Sequence, residues 1–281
     1  MINYYLLTKP GIILGNLFTV AAGFLLASKG QLHAGLFLAT LAGLAFIIAS
    51  ACVFNNYIDR TVDQKMERTK NRPLAAGLVS GKRAIIFAII LAIIGNVILL
   101  AFTNTLALAV ADAGFFIYVV LYSLWKCRTI YGTAIGSIAG AVPPVVGYCS
   151  VSNQLDLGAL LLFMMMVLWQ MPHFFAIAIY RFDDYASAGI PVLPVKKGII
   201  RTKISMLAYI CAFLLAAACL TLFGYTGYIY LTLASVIGFA WLGLGIFGFK
   251  SSNDPFWGRQ MFRLSLVMIA VICLAIPFDT I

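Results

Sequence analysis

An all-α polytopic membrane protein with about nine transmembrane helices is the fold class this sequence predicts, and three observations predict it. Of the 281 residues, 63% are hydrophobic and only 10% are charged, too few polar groups to clothe the surface of a soluble domain. Apolar stretches recur near 11–28, 35–58, 84–102, 106–125, 130–150, 159–180, 205–224, 227–249 and 260–278, each of a length that crosses a hydrocarbon layer of roughly 30 Å. The third observation is charge placement. All nineteen Lys and Arg except Lys29 lie on the amino-terminal tail or on even-numbered loops, so the tail and those loops are expected in the cytoplasm of a multi-pass protein of the cell inner membrane. The net charge of +10 thereby reports topology and a lipid bilayer partner, and no nucleic acid is expected.

In chain order, Thr8-Lys9-Pro10-Gly11 opens the first helix with proline in its first turn, where a missing N–H does no harm. That end resembles a signal peptide, but eight further spans and no small-residue cleavage site favour a retained helix. The second span runs into Asn55, Asn56, Asp59 and Asp63, and Asn71-Arg72-Pro73 then turns the chain. The fourth span ends in Tyr122-Ser123-Leu124-Trp125-Lys126 on the same membrane face; Trp125 reads as an interface aromatic. Asp112, two turns in from the other face, reads as an unexplained polar contact. Pro143-Pro144 in the fifth span remove two ladder bonds and predict a kink against a cavity. The sixth span ends in Trp169-Gln170-Met171-Pro172-His173, with Pro172 expected to open the backbone near Leu168. Spans seven to nine read as scaffold. The six cysteines show no CxxC or CxxxH spacing, which argues against a disulfide framework or a zinc site.

The chemistry concentrates on Asn55, Asp59 and Asp63. Spaced i, i+4, i+8, they share one helix face, drifting by about 80° over roughly 12 Å. Both acids fall near a helix carboxyl end, where the macrodipole disfavours negative charge by about 0.3–1 kcal/mol each. Something positive should meet them, and a row of hard oxygens suits Mg²⁺, which typically takes one or two carboxylates plus substrate phosphates. A solvated helix end with i,i+4 pairs is the structural alternative. Arg68, Lys70 and Arg72 follow within a few residues.

At a common offset of 121 residues Gly11 aligns with Gly132, Gly15 with Gly136, Asp63 with Asp184, and Pro73 with Pro194. Within one domain, 1–281, this suggests a parallel repeat of about 8–125 and 129–249 with a site between the halves. Tyr180, Arg181, Asp184 and Lys196 are then expected to form a second edge opposite Asp63.

The motifs TKPGI at Thr8, NNYIDRxxDxxMxRTxxRPL at Asn55, GAxPPxxGY at Gly140, WQMPHF at Trp169 and DYxxAGIPVLP at Asp184 resemble the UbiA superfamily of intramembrane prenyltransferases, most closely its haem O synthase branch. Where superfamily members often carry a second DxxxD row, this chain has Tyr180-xxx-Asp184. The resemblance implies a UbiA-type bundle with a central cavity, and a farnesyl transfer from farnesyl diphosphate to a vinyl group of haem B, with addition of water. Haem B enters as substrate, not cofactor. It implies Mg²⁺ on Asn55, Asp59, Asp63 and Asp184, with Tyr122 and Lys126 joining them in catalysis. Diphosphate contacts are expected from Lys9, Asn56, Arg68, Lys70, Arg72, Ser123, Tyr180, Arg181 and Lys196, and haem contacts from Trp169 and His173. Hand-over of haem O to a haem A synthase or terminal oxidase assembly would follow. A sister prenyltransferase acting on a quinone or chlorophyll precursor would keep the same metal row. A transporter would share the nine spans and broken helices but would not need that row.

Overall fold

The computed structural model describes residues 2–281, and the nine spans are there. Among the described residues, nine helices are long and apolar enough to cross a membrane: Pro10–Ser28, Ala34–Asp63, Gly81–Phe102, Thr105–Trp125, Gly132–Ser152, Leu157–Tyr180, Ile199–Leu222, Tyr228–Lys250 and Asp254–Phe278. We call them the first to ninth spans. The second runs a full turn beyond the predicted end at 58, so all of Asn55, Asp59 and Asp63 ride on one continuous helix. The ninth begins earlier than expected, because the Asn253 side chain caps it by accepting from the Phe256 N–H and Pro255 fits its first turn.

Apart from the 3₁₀ turn Gly248–Lys250 that ends the eighth span, two spans deviate from regular α-helix, and both deviations carry residues of the cavity lining. The fifth breaks between Gly132–Gly140 and Val142–Ser152, at the predicted double proline. The fourth passes through a π-helical stretch, Ile117–Tyr122, which the sequence did not announce; such insertions rotate the following side chains and recur at functional sites. The sixth span corrects an expectation. Leu157–Tyr180 continues as helix through Pro172, so the backbone near Leu168 is not opened into a cavity. One lost N–H is tolerated in a helix packed by the seventh and ninth spans.

The sixth span is the centre of the bundle, with Leu162, Met165 and Ile179 each 2% exposed or less. The first and fifth spans approach at backbone distance. A Cβ on Gly23 would collide with the Pro144 carbonyl, and one on Gly147 with the Val20 carbonyl, the close packing that small residues allow in membranes. At the end of the bundle that carries Asp63, Lys203 on the seventh span donates to the Gly248 carbonyl at 2.7 Å, pairs with Asp254 and lies 5.0 Å from the Trp257 ring. This cation, counted by sequence among the loop charges, clamps the last three spans together. Asp112 sits exposed on the fourth span, away from the cavity lining.

Candidate active site

The second span presents Asn55, Asp59 and Asp63 to a cavity of about 640 Å³, within the usual range of ligand sites. All three are buried, at 3%, 8% and 5% exposure, and each is met by a cation from a different segment. Lys9 Nζ donates to Asn55 Oδ1 at 2.7 Å. Lys126, arriving at the end of the fourth span, pairs with Asp59. Arg72, from the turn after the second span, forks onto both Asp63 oxygens at 3.0 and 2.9 Å. The positive partners demanded by two acids at a helix carboxyl end are thus supplied.

The backbone works to deliver them. Lys9 has φ 52° and ψ 67°, a left-handed conformation that costs a non-glycine residue roughly 1–2 kcal/mol. It turns the chain from the short helix Ile2–Leu7 into the first span and carries the side chain inward. Burial pulls the Lys9 ammonium down to about 8, which leaves it charged at neutral pH. Asn56 holds this segment by donating to the Leu7 carbonyl at 2.8 Å.

Beyond the polar edge the wall turns aromatic and apolar. Tyr118 and Tyr122 stack with centroids 5.4 Å apart, and Lys126 Nζ lies 5.0 Å over the Tyr122 ring. Leu44, Ile47, Ile48, Phe115, Val142 and Met166 line the depth. From the sixth span the lining takes Trp169 and His173, whose rings stack at 4.8 Å; Trp169 Nε1 donates to the Ser265 carbonyl at 2.9 Å, and His173 Nδ1 lies 2.7 Å from Ser265 Oγ.

Not every residue expected from sequence reaches this cavity. Arg68 lines its mouth, and none of the five ion pairs among the described residues engages it. Lys70 instead pairs with exposed Glu67 at 2.7 Å, outside the lining. Asn56 is the tether just described, and Ser123 braces the row from behind, accepting from Asn55 Nδ2 at 3.5 Å and donating to the Tyr118 carbonyl at 3.2 Å. On the expected second edge only Tyr180 lines the cavity. Arg181 leans over the Tyr180 ring at 5.0 Å and stands 4.0 Å from Asp184; neither lines it, and Lys196 is exposed at the end of Leu193–Lys197. The reason is helical. The sixth span stops at Tyr180, and Asp184 rides on a separate short helix, Phe182–Ser187, so it is not held in line as Asp63 is. Sequence reasoning missed Tyr118, Gln170 and Tyr185 in the lining; the i,i+4 spacing of Tyr118 and Tyr122 was the one available signal for the first.

Among the described residues no three His, Cys, Asp or Glu side chains converge as a self-sufficient metal site. Two carboxylates and an amide oxygen suit a hard cation that brings substrate oxygens as further ligands.

Residues 16–267 match the UbiA prenyltransferase family. The chain belongs to that family. It is 64% identical over 280 residues to the protoheme IX farnesyltransferase of Protochlamydia amoebophila (strain UWE25), covering 99% of both chains. It is 52% identical over 278 residues to the enzyme of that name from Edwardsiella ictaluri (strain 93-146), covering 99% of this chain and 94% of the other. In fold this UbiA member resembles digeranylgeranylglyceryl phosphate synthase, with TM-score 0.81 at 18% identity over 98% and 96% of the two chains. It also resembles a UbiA homolog from Archaeoglobus fulgidus bound to GPP and Mg²⁺, with TM-score 0.73 at 18% identity over 98% and 99%.

Proposed function

We infer that this chain transfers the farnesyl group of farnesyl diphosphate to a vinyl group of haem B, with addition of water, giving haem O and diphosphate. The observation that carries the reading is the lining of one cavity, which joins a row of hard oxygens and cations to aromatic side chains and a single imidazole. The full-length identity to protoheme IX farnesyltransferases supports it.

In the first step the allylic C–O bond breaks and its electron pair leaves with the diphosphate. Lys9, Arg68, Arg72 and Lys126 meet the charge that develops on those oxygens, an electrostatic contribution aimed at the leaving group. A Mg²⁺ held by Asn55, Asp59 and Asp63 would supply further charge neutralisation there. The allylic cation is faced by the Tyr118 and Tyr122 rings, whose π faces favour a cation and exclude water. The vinyl π pair then forms the new C–C bond to that cation. The positive charge left beside the porphyrin takes a water oxygen, which loses a proton to become the hydroxyl. Trp169 and His173 hold the porphyrin side of the cavity.

The edge bearing Asp63 faces the cytoplasm, where farnesyl diphosphate enters, because the basic tail and even-numbered loops share that end. The imidazole wall favours haem over a quinone or chlorophyll precursor. The test is diphosphate release on adding farnesyl diphosphate, Mg²⁺ and haem B to purified protein, with mass spectrometry of the haem from membranes with and without the chain. Release that needs haem B and a farnesylated, hydrated haem product are expected. Release with a quinone precursor and none with haem B would overturn the reading.

A further inference from the structure

We propose that Ser265 is a positioning residue that fixes His173 as the Nδ1–H tautomer, leaving an unprotonated Nε2 to bind the iron of the haem substrate. The inference rests on the proposed haem reading of the cavity and goes beyond it by assigning the proton and the residue that places it.

The argument is a count of hydrogens. Ser265 Oγ lies 2.6 Å from the Phe262 carbonyl oxygen. A carbonyl oxygen has no hydrogen to give, so a contact this short requires the single hydroxyl hydrogen of Ser265. The same Oγ lies 2.7 Å from His173 Nδ1. With its hydrogen already donated, Oγ can only accept there, and the proton of that bond must belong to Nδ1. A neutral imidazole carries one N–H, so Nε2 holds a lone pair. Nε2 has no protein hydrogen-bond partner, yet it is not among the sealed, partnerless atoms, and His173 lines the cavity. The ring cannot easily turn away. Trp169 stacks on it at 4.8 Å, Phe262 packs at 4.9 Å, and the Ser265 carbonyl fixes the Trp169 indole at 2.9 Å. Ser265 therefore orients the imidazole through its side chain and the stacked indole through its backbone. Outer partners of this kind set tautomer and ligand basicity at metal-binding histidines.

The chain contains only two histidines, so ¹⁵N-histidine labelling of the full-length protein in detergent, with His33→Gln to remove the second ring, reads the tautomer by NMR without any haem. The expected spectrum shows a protonated Nδ1 and a bare Nε2, becoming a mixture in Ser265→Ala and recovering in Ser265→Thr. A protonated Nε2, or an unchanged spectrum in Ser265→Ala, overturns the proposal. Haem B titration followed at the Soret band supplies the second arm. Loss of Ser265 should weaken binding about tenfold or more, the usual cost of an outer-shell partner, with Ser265→Thr restoring it. If His173→Ala leaves haem binding and its spectrum unchanged, the haem reading of His173 fails. If His173→Ala shifts both while Ser265→Ala shifts neither, the positioning role alone fails.

Discussion

Replacing Asp63 by Asn removes one negative charge while keeping shape, and the structure separates what that should do to rate from what it should do to folding. Asp63 is 5% exposed and holds Arg72 through both oxygens. An amide keeps one acceptor oxygen, so the fork drops to a single bond. Its stability cost is tempered because the Arg72 side chain is 26% exposed and can recover water; we expect about 1 kcal/mol, nearer the value of an exposed pair than the 3–5 kcal/mol of a sealed one. The rate should suffer far more. In the proposed reaction the carboxylate acts through the cation that would accompany the leaving diphosphate, and a single electrostatic contact of this kind is worth about 10²–10³ in kcat. Diphosphate release is followed against farnesyl diphosphate and Mg²⁺ concentration, beside a thermal unfolding curve of the same preparation. A folded variant with kcat reduced by that factor is expected. Full Mg²⁺-dependent turnover, or a loss that merely tracks unfolding, would refute the assignment.

Lys196→Ala, at an exposed position on Leu193–Lys197, should leave kcat and KM for farnesyl diphosphate within roughly twofold, the scale of an exposed substitution near 0.5 kcal/mol; steady-state kinetics showing a larger loss would return Lys196 to the cage. Gly23→Ala should destabilise by about 1–3 kcal/mol, the cost of overpacking, because its Cβ meets the Pro144 carbonyl, whereas Gly11→Ala enters open space; thermal unfolding of the pair checks this. A reporter fused after Leu74 should behave as cytoplasmic and one after Gln154 as external, and the reverse pattern would overturn entry of farnesyl diphosphate from the cytoplasm.

The spans and the first polar row were legible because periodicity speaks directly to them. A span is a length of apolar residues, and Asn55, Asp59 and Asp63 share a face on any α-helix whatever surrounds them. What sequence could not supply was where helices end and where their register slips. The offset that equates Asp63 with Asp184 assumes equal helix lengths, yet the second span reaches Asp63 while the sixth stops at Tyr180. One turn of helix separates an acid in the cavity lining from one outside it. The π-helical stretch Ile117–Tyr122 was equally hidden, since no residue type there forces it. Pro172 failed in the opposite sense, as a local breaker overridden by the packing of its neighbours.

With Asp184 outside the lining, the balance of charge at the polar edge bears on what the cavity binds. Asp59 and Asp63 line it together with Lys9, Arg68, Arg72 and Lys126, so cations outnumber carboxylates at the same edge. Such a field repels a bare divalent ion and attracts a multiply charged anion. Metal and diphosphate should therefore bind as partners, each raising the affinity for the other by the same factor. Isothermal titration of Mg²⁺ into the purified protein should give weak binding by itself and markedly tighter binding once a non-hydrolysable farnesyl diphosphate analogue is present. Equal Mg²⁺ affinity in both titrations would mean that the carboxylates hold the ion independently, and that Lys9, Arg72 and Lys126 serve only to neutralise them.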